Sequence, residues 1–315
     1  MSSVSFVFTT VTSTLALFGV AIMVVSQTAT LLRIEPFWSW NTPIAWTGFI
    51  VFADSIIYRA RGRSWIRSAP REFAFLALIS IPVWLVFEWF NFFLNNWHYT
   101  GLPENFSLRQ FGYAWAFATI SPALFEGAEL IAILRSGESG GPGGSGRSGE
   151  SGRSGGSGRS GGSGRTPDPP DRPDRPDPPA SWILFGAVML VSPFVVSSET
   201  ARYMAAPVWL GFIFLLDPIN ARLGGASLIA EWRAERYDRT INLACSGLLC
   251  GLLWELWNYW AHAKWHYTVP IMENLKIFEM PVPGYLGFPP FALECFTMYE
   301  FVRLVLRGGG RPIGV

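Results

Sequence analysis

The chain has 315 residues, half of them apolar and only 15% charged, and its 24 lysines and arginines nearly balance 23 aspartates and glutamates for a net charge of +1. Such a balance supplies no basic face for nucleic acid, and the apolar content outside one long polar stretch exceeds that of a soluble domain. The three cysteines, Cys245, Cys250 and Cys295, form no close-spaced metal-ligand pair and read as small apolar fillers.

The expected class is all-α, a polytopic membrane protein. Apolar runs near residues 5–32, 43–58, 72–96, 111–134, 181–199, 206–221, 240–262 and 285–306 suffice for about eight spans, the second and sixth being short. No basic region precedes the first run and no convincing cleavage site follows it, so a retained helix is expected there. Between the fourth and fifth runs, residues 136–180 are Ser-Gly-Arg repeats followed by Pro-Asp-Arg units, the composition of a disordered tether. The expected organisation is a first membrane repeat over 1–135, the linker over 136–180, a second repeat over 181–307 and a tail over 308–315.

A duplication is written in the spacing. Trp46-x-Gly48-Phe49-Ile50 with Asp54-x-Ile56-x-x-Arg59-x-x-Gly62-x-Ser64-x-Ile66 returns as Trp209-x-Gly211-Phe212-Ile213 with Asp217-x-Ile219-x-x-Arg222-x-x-Gly225-x-Ser227-x-Ile229. Further on, Glu88, Asn91 and Trp97-His98-Tyr99 return as Glu255, Asn258 and Trp265-His266-Tyr267, and Pro122-x-x-x-Glu126 as Pro290-x-x-x-Glu294. Leu17-Phe18-Gly19 faces Leu184-Phe185-Gly186. An even number of spans per copy makes the repeats parallel, about an axis along the membrane normal. Arginines crowd the loops on the amino-terminal side, so the positive-inside bias places both termini and the linker in the cytoplasm, in the inner membrane of the cell.

Six carboxylates, Asp54, Glu88, Glu126, Asp217, Glu255 and Glu294, fall near the middle of predicted spans. An ionisable group there costs about 2.5 kcal/mol or more to insert, so each is expected to face protein or a water-filled cavity. Glu88 with Asn91, and Glu255 with Asn258, share a helix face at a spacing of three, where the amide can hold the acid in place. Acid/base catalysis by Glu88, Glu126, Glu255 and Glu294, with both asparagines, is one reading; hydrogen-bonded helix glue is the other. For Asp54 and Asp217, near Arg59 and Arg222, glue is favoured. His98 and His266, with Glu104 and Glu273 nearby, are secondary candidates for proton handling and read first as parts of interfacial anchors; His262 lacks a counterpart and is taken as incidental. No cofactor and no metal is expected. The stretch Phe278–Pro290 reads as a broken entrance to the last span.

In this chain Trp254-Glu255, Trp265-x-Tyr267, Gly287-x-Pro289, Glu294 and Tyr299-Glu300 resemble the repeat of the membrane lycopene cyclases of bacterial and fungal carotenoid synthesis. That resemblance implies metal-free protonation of a polyene by membrane-embedded acids. Two departures accompany it: Phe291 and Ala292 stand where the family has a Pro-x-Glu-Glu doublet, and each half has an extra leading span. The chain is also similar to a bacterial family of polytopic membrane proteins that carries no activity over. Partners expected are the bilayer and a lipophilic, isoprenoid or other lipid substrate; a proton- or cation-coupled carrier and a scaffold are the alternatives. Substrate and oligomeric state are not written in the sequence.

Overall fold

The computed structural model describes residues 3–137 and 179–307, with side chains from residue 14 onward. The expected tether, apart from its first two and last two residues, and the 308–315 tail lie outside the described residues. Helices cover all eight apolar runs: α1 (Ser3–Leu31), α2 (Phe37–Arg61), α4 (Pro70–Leu94), α5 (Phe106–Ser136), α6 (Ala180–Val195), α8 (Ala205–Arg222), α10 (Asp238–Trp260) and α11 (Phe288–Arg307). Short helices α3 (Trp65–Ser68), α7 (Ser198–Ala201) and α9 (Leu228–Trp232) fill connections.

Local chemistry sets the helix ends. Gly62 closes α2 at φ 69° and donates its N–H to Tyr58, and Asn95 closes α4 at φ 52°, two positions whose left-handed backbone favours glycine and asparagine. Pro70 opens α4, where its missing N–H costs nothing. The Asn105 side chain accepts from Leu108 N at 3.1 Å and starts α5.

Among the described residues, four helices are long and apolar enough to cross a membrane: the Thr14–Leu31 part of α1, α4, α5 and α10. Among the rest, α6 with 16 residues and α8 with 18 reach only about 24 and 27 Å at 1.5 Å per residue, short of a ~30 Å hydrocarbon core. α2 and α11 carry charged residues in their last turns, Arg59 with Arg61 and Arg307.

α5 and α11 lie at the centre. α5 packs on α2, α4 and α10, while α11 packs on α8, α10 and α4. α1 covers α2, and α6 covers α8, with glycines at both crossings. A Cβ on Gly19 would stand 2.7 Å from Gly48 O, and one on Gly186 would stand 2.7 Å from Gly211 O. Large apolar side chains such as Leu17, Leu78, Phe92, Leu184 and Val195 project outward from α1, α4 and α6, which suits a lipid-facing belt.

The two Trp-His-Tyr triplets do more than anchor helix ends. Residues Trp97–Thr100 (β1) and Lys264–Tyr267 (β2) pair antiparallel, with Trp97 opposite Tyr267, His98 opposite His266 and Tyr99 opposite Trp265. Beyond β2, Lys276–Ile277 (β3) and Met280–Pro281 (β4) form a small hairpin, and a 3-10 turn over Val282–Gly287 leads into α11. The expected broken entrance over Phe278–Pro290 is therefore a two-residue strand and a 3-10 turn running into the first residues of α11.

Candidate functional site

Each asparagine turns away from its glutamate and holds the chain that follows the helix. Asn91 Nδ2 donates to Trp97 O at 2.8 Å while its Oδ1 accepts from Asn96 N and Trp97 N. Asn258 does the same at Trp265, donating to its carbonyl at 2.9 Å and accepting from its N–H at 2.9 Å. The pairing of Asn91 with Glu88 and of Asn258 with Glu255 expected from their spacing is thus replaced by a backbone clamp, because a helix end leaves orphan groups that a nearby amide satisfies. Both asparagines are positioning residues for β1 and β2.

So clamped, the strands aim alternate side chains at the glutamates. Glu88 Oε1 accepts from Trp84 Nε1 at 2.8 Å, from Trp97 Nε1 at 3.3 Å and from the Tyr99 hydroxyl. Glu255 Oε1 accepts from Tyr267 Oη at 2.9 Å and Trp265 Nε1 at 3.4 Å. Its other oxygen is buried without a partner. The difference has a steric source. Four residues before Glu255 stands Gly251, whose missing side chain leaves room for the Phe288 ring, where the first half has Trp84. Burial, reinforced by the adjacent carboxylate, pushes the hydroxyls of Tyr99 and Tyr267 well above the ordinary tyrosine range, so both keep their protons at neutral pH.

On the far side of these tyrosines lies a single cavity of about 410 Å³, built by both halves. Trp46, Trp84, Trp97, Tyr99, Tyr113 and Phe117 line it from the first half, and Trp209, Trp254, Trp265, Tyr267, Phe288 and Phe291 from the second. Trp84 and Trp254 meet across it with ring centroids 5.6 Å apart. Among the described residues no carboxylate lines the wall. Glu88 and Glu255 stand behind the wall, hydrogen-bonded to its residues Trp84, Trp97 and Tyr99 and to Trp265 and Tyr267.

The remaining candidates sit elsewhere. Glu294 is fully buried, accepting from Phe212 N at 3.1 Å with its second oxygen unpartnered. Glu126 is buried and faces Asp54 and Glu129. These two do not share the cavity of Glu88 and Glu255. Asp217 accepts from Ser227 Oγ at 2.6 Å and from Leu228 N and Ile229 N at 2.9 Å, so it caps α9. Asp54 accepts from Ile66 N at 2.8 Å at the start of α3, with Arg67 Nε 3.7 Å away. Both aspartates thus carry a structural load, and Arg59 and Arg222 lie in the last turns of α2 and α8.

His266 pairs with Glu279 at 3.0 Å, not with Glu273, and with Thr100 at 3.1 Å. Its ring stacks on that of His98, centroids 5.6 Å apart. His262 ties the two halves, its N–H donating to Trp38 O at 2.8 Å and its ring lying 4.3 Å from the Trp38 ring. Among the described residues no group of three or more His, Cys, Asp or Glu side chains could hold a metal ion.

Sequence reasoning passed over the tyrosines as functional groups. Strand alternation inside each Trp-His-Tyr triplet was the available signal: it sends Trp and Tyr to one face and His to the other. It also passed over Glu129, which accepts from Trp65 Nε1 at 2.6 Å, and named Glu300 only within the cyclase resemblance, whereas Glu300 holds Arg303 through two contacts of 2.8 Å. Neither belongs to the duplicated pattern, since Thr297 and Ala132 stand at the corresponding positions. No protein-family model, curated protein or solved structure matches this chain.

Proposed function

We propose that this protein is a membrane enzyme that moves protons on a lipophilic, isoprenoid-like substrate held in the aromatic cavity. One observation carries the reading: the cavity wall presents two tyrosine hydroxyls from opposite halves, each bonded to a glutamate behind it. Glu255, with an unpartnered oxygen, serves as the proton reservoir, and Glu88, on which three donors converge, serves as the acceptor. In the forward step Tyr267 passes its proton to one carbon of a C=C bond and recovers one from the Glu255 carboxyl, leaving Glu255 ionised. The carbocation so formed sits among the faces of Trp46, Trp84, Trp209 and Trp254, which stabilise positive charge. Tyr99 then takes a proton from a neighbouring carbon as its own passes to Glu88. For the substrate the sum is a redox-neutral isomerisation or cyclisation; for the protein one proton has moved from Glu255 to Glu88 and returns through solvent before the next turnover, and proton transfer of this kind is worth roughly 10²–10⁴-fold in rate.

The same reading takes the chain as two parallel four-helix repeats with about eight membrane passages, the short α6 and α8 being met by local thinning. Arginine-rich loops put the end bearing Asp54 and Asp217 in the cytoplasm and the β1–β2 end on the opposite face of the inner membrane. The resemblance to the lycopene cyclase repeat supports acid chemistry on a polyene, although Glu294 lies away from the cavity.

Lipid extracts of cells expressing the wild type, Glu255→Gln or Tyr267→Phe test this by chromatography and mass spectrometry. A species of unchanged mass but altered retention is expected with the wild type, falling at least 100-fold with either variant. Identical extracts from all three, at equal protein levels, would sink the enzyme reading. A second reading, a proton- or cation-coupled carrier, is favoured by the clustering of buried Glu126 with Asp54 and Glu129; it expects Glu126→Gln to abolish substrate uptake into vesicles.

A further inference from the structure

One face of α5 forms a continuous side of the cavity: Arg109, Gly112, Tyr113, Ala116, Phe117 and Ile120 all line it. At 1.5 Å per residue, the wall from Arg109 to Ile120 runs about 16 Å, with Arg109 at the end next to β1 and β2. In the register that sets Pro122 on Pro290, Ile277 falls where Arg109 stands, while Met280 and Pro281 take the places of Gly112 and Tyr113 and line the same cavity. The second half thus repeats the apolar wall without the charge.

Among the described residues, Arg109 and Lys264 are the only basic side chains on the wall, and they differ in one respect. Lys264 is neutralised by Glu279 at 2.8 Å. Arg109 lies over the Phe106 ring, its guanidinium carbon 5.9 Å from the centroid, and among the described residues no carboxylate pairs with it. A half-buried guanidinium beside apolar rings has lost part of its hydration without gaining a counter-charge. Its planar donor fork matches an oxyanion.

We propose that the cavity takes an amphipathic lipid with a phosphate or carboxylate head, the head resting on Arg109 and the chain running along α5 toward Ile120. Rings lining that path accept an unsaturated chain, and Arg109 fixes which of its carbons reaches Tyr99 and Tyr267. This assignment rests on the cavity being the substrate site. It sets the ligand apart from a hydrocarbon polyene, which has no use for a cation at the entrance.

The test is native mass spectrometry of the detergent-purified full chain titrated with dodecyl phosphate, dodecanol or inorganic phosphate, for the wild type, Arg109→Gln and Arg109→Lys. Dodecyl phosphate is expected to bind the wild type at least tenfold more tightly than dodecanol, to lose that margin in Arg109→Gln and to recover part of it in Arg109→Lys. Should dodecanol match dodecyl phosphate and Arg109→Gln change neither, the headgroup assignment falls while the cavity reading stands. If neither chain-bearing probe binds, the cavity reading itself fails. Inorganic phosphate that displaces dodecyl phosphate at equal concentration overturns the lipid in favour of a free oxyanion. Unchanged melting temperatures of both variants guard against misfolding.

Discussion

Glu279 lies between two opposing influences. Burial pushes its carboxyl up, but the Lys264 ammonium and the His266 ring together outweigh it and hold the group below the ordinary 4.5. A carboxylate whose folded pKa is depressed adds stability above its unfolded pKa, and that stability is lost as pH falls through the folded value. The Lys264–Glu279–His266 cluster is therefore expected to be intact at neutral pH and to weaken below about pH 4.5. Melting temperatures of the wild type and Glu279→Gln across pH 3 to 7 check it: the variant should be less stable at pH 7, by up to about 1 kcal/mol, and the two should converge in acid. A constant gap would show that charge is not the cause. Glu279 was not singled out by sequence, because its partners come from β2 and only the folded hairpin brings them near. Asn91 and Asn258 teach the same lesson differently. Their spacing from Glu88 and Glu255 was legible as a shared helix face, but spacing alone does not say which way the chain turns after the helix. It turns back over the asparagine, and the amide spends its hydrogen bonds there.

Helix positions followed directly from hydropathy, since runs of apolar residues of this length have few other ways to satisfy their backbones. Strands β1 and β2 did not, because four residues give too short a period for alternation to stand out from an aromatic belt. The glycines in the repeated segments become intelligible only at helix crossings. A Cβ at Gly186 would stand 2.4 Å from Leu215 N and 2.7 Å from Gly211 O, backbone atoms that cannot swing aside. Gly186→Leu should thus force α6 away from α8, at a cost of about 1–3 kcal/mol or more. A melting temperature lowered by roughly 5 °C is the expected reading in detergent. Gly287→Ala, at a position where an added Cβ meets nothing within 4 Å, is the control that should leave it unchanged.

At the scale of the molecule, the helical and apolar character was readable because long uncharged runs dominate the sequence outside residues 136–180. The shared cavity was not, since no single segment encodes it: its wall needs α2, α4 and α5 from one half and α8, α10 and the entrance of α11 from the other. Such an interface should hold without a covalent tether. Residues 1–137 and 179–315 expressed as two chains in one cell are expected to copurify in detergent. Purification of either chain without its mate would mean that the contacts across β1–β2, α4–α11 and α5–α10 are too weak to define one molecule.

The hydrogen-bonded pairing of His98 with His266 sets an order of events during synthesis. When the ribosome has delivered the first half, β1 has no mate, and the nascent chain must wait with an open strand edge until β2 emerges well over a hundred residues later. Because the two strands close together, the pocket mouth cannot exist at half-completion. A truncated product is therefore left with an unzipped edge, which marks it for quality control rather than for partial activity.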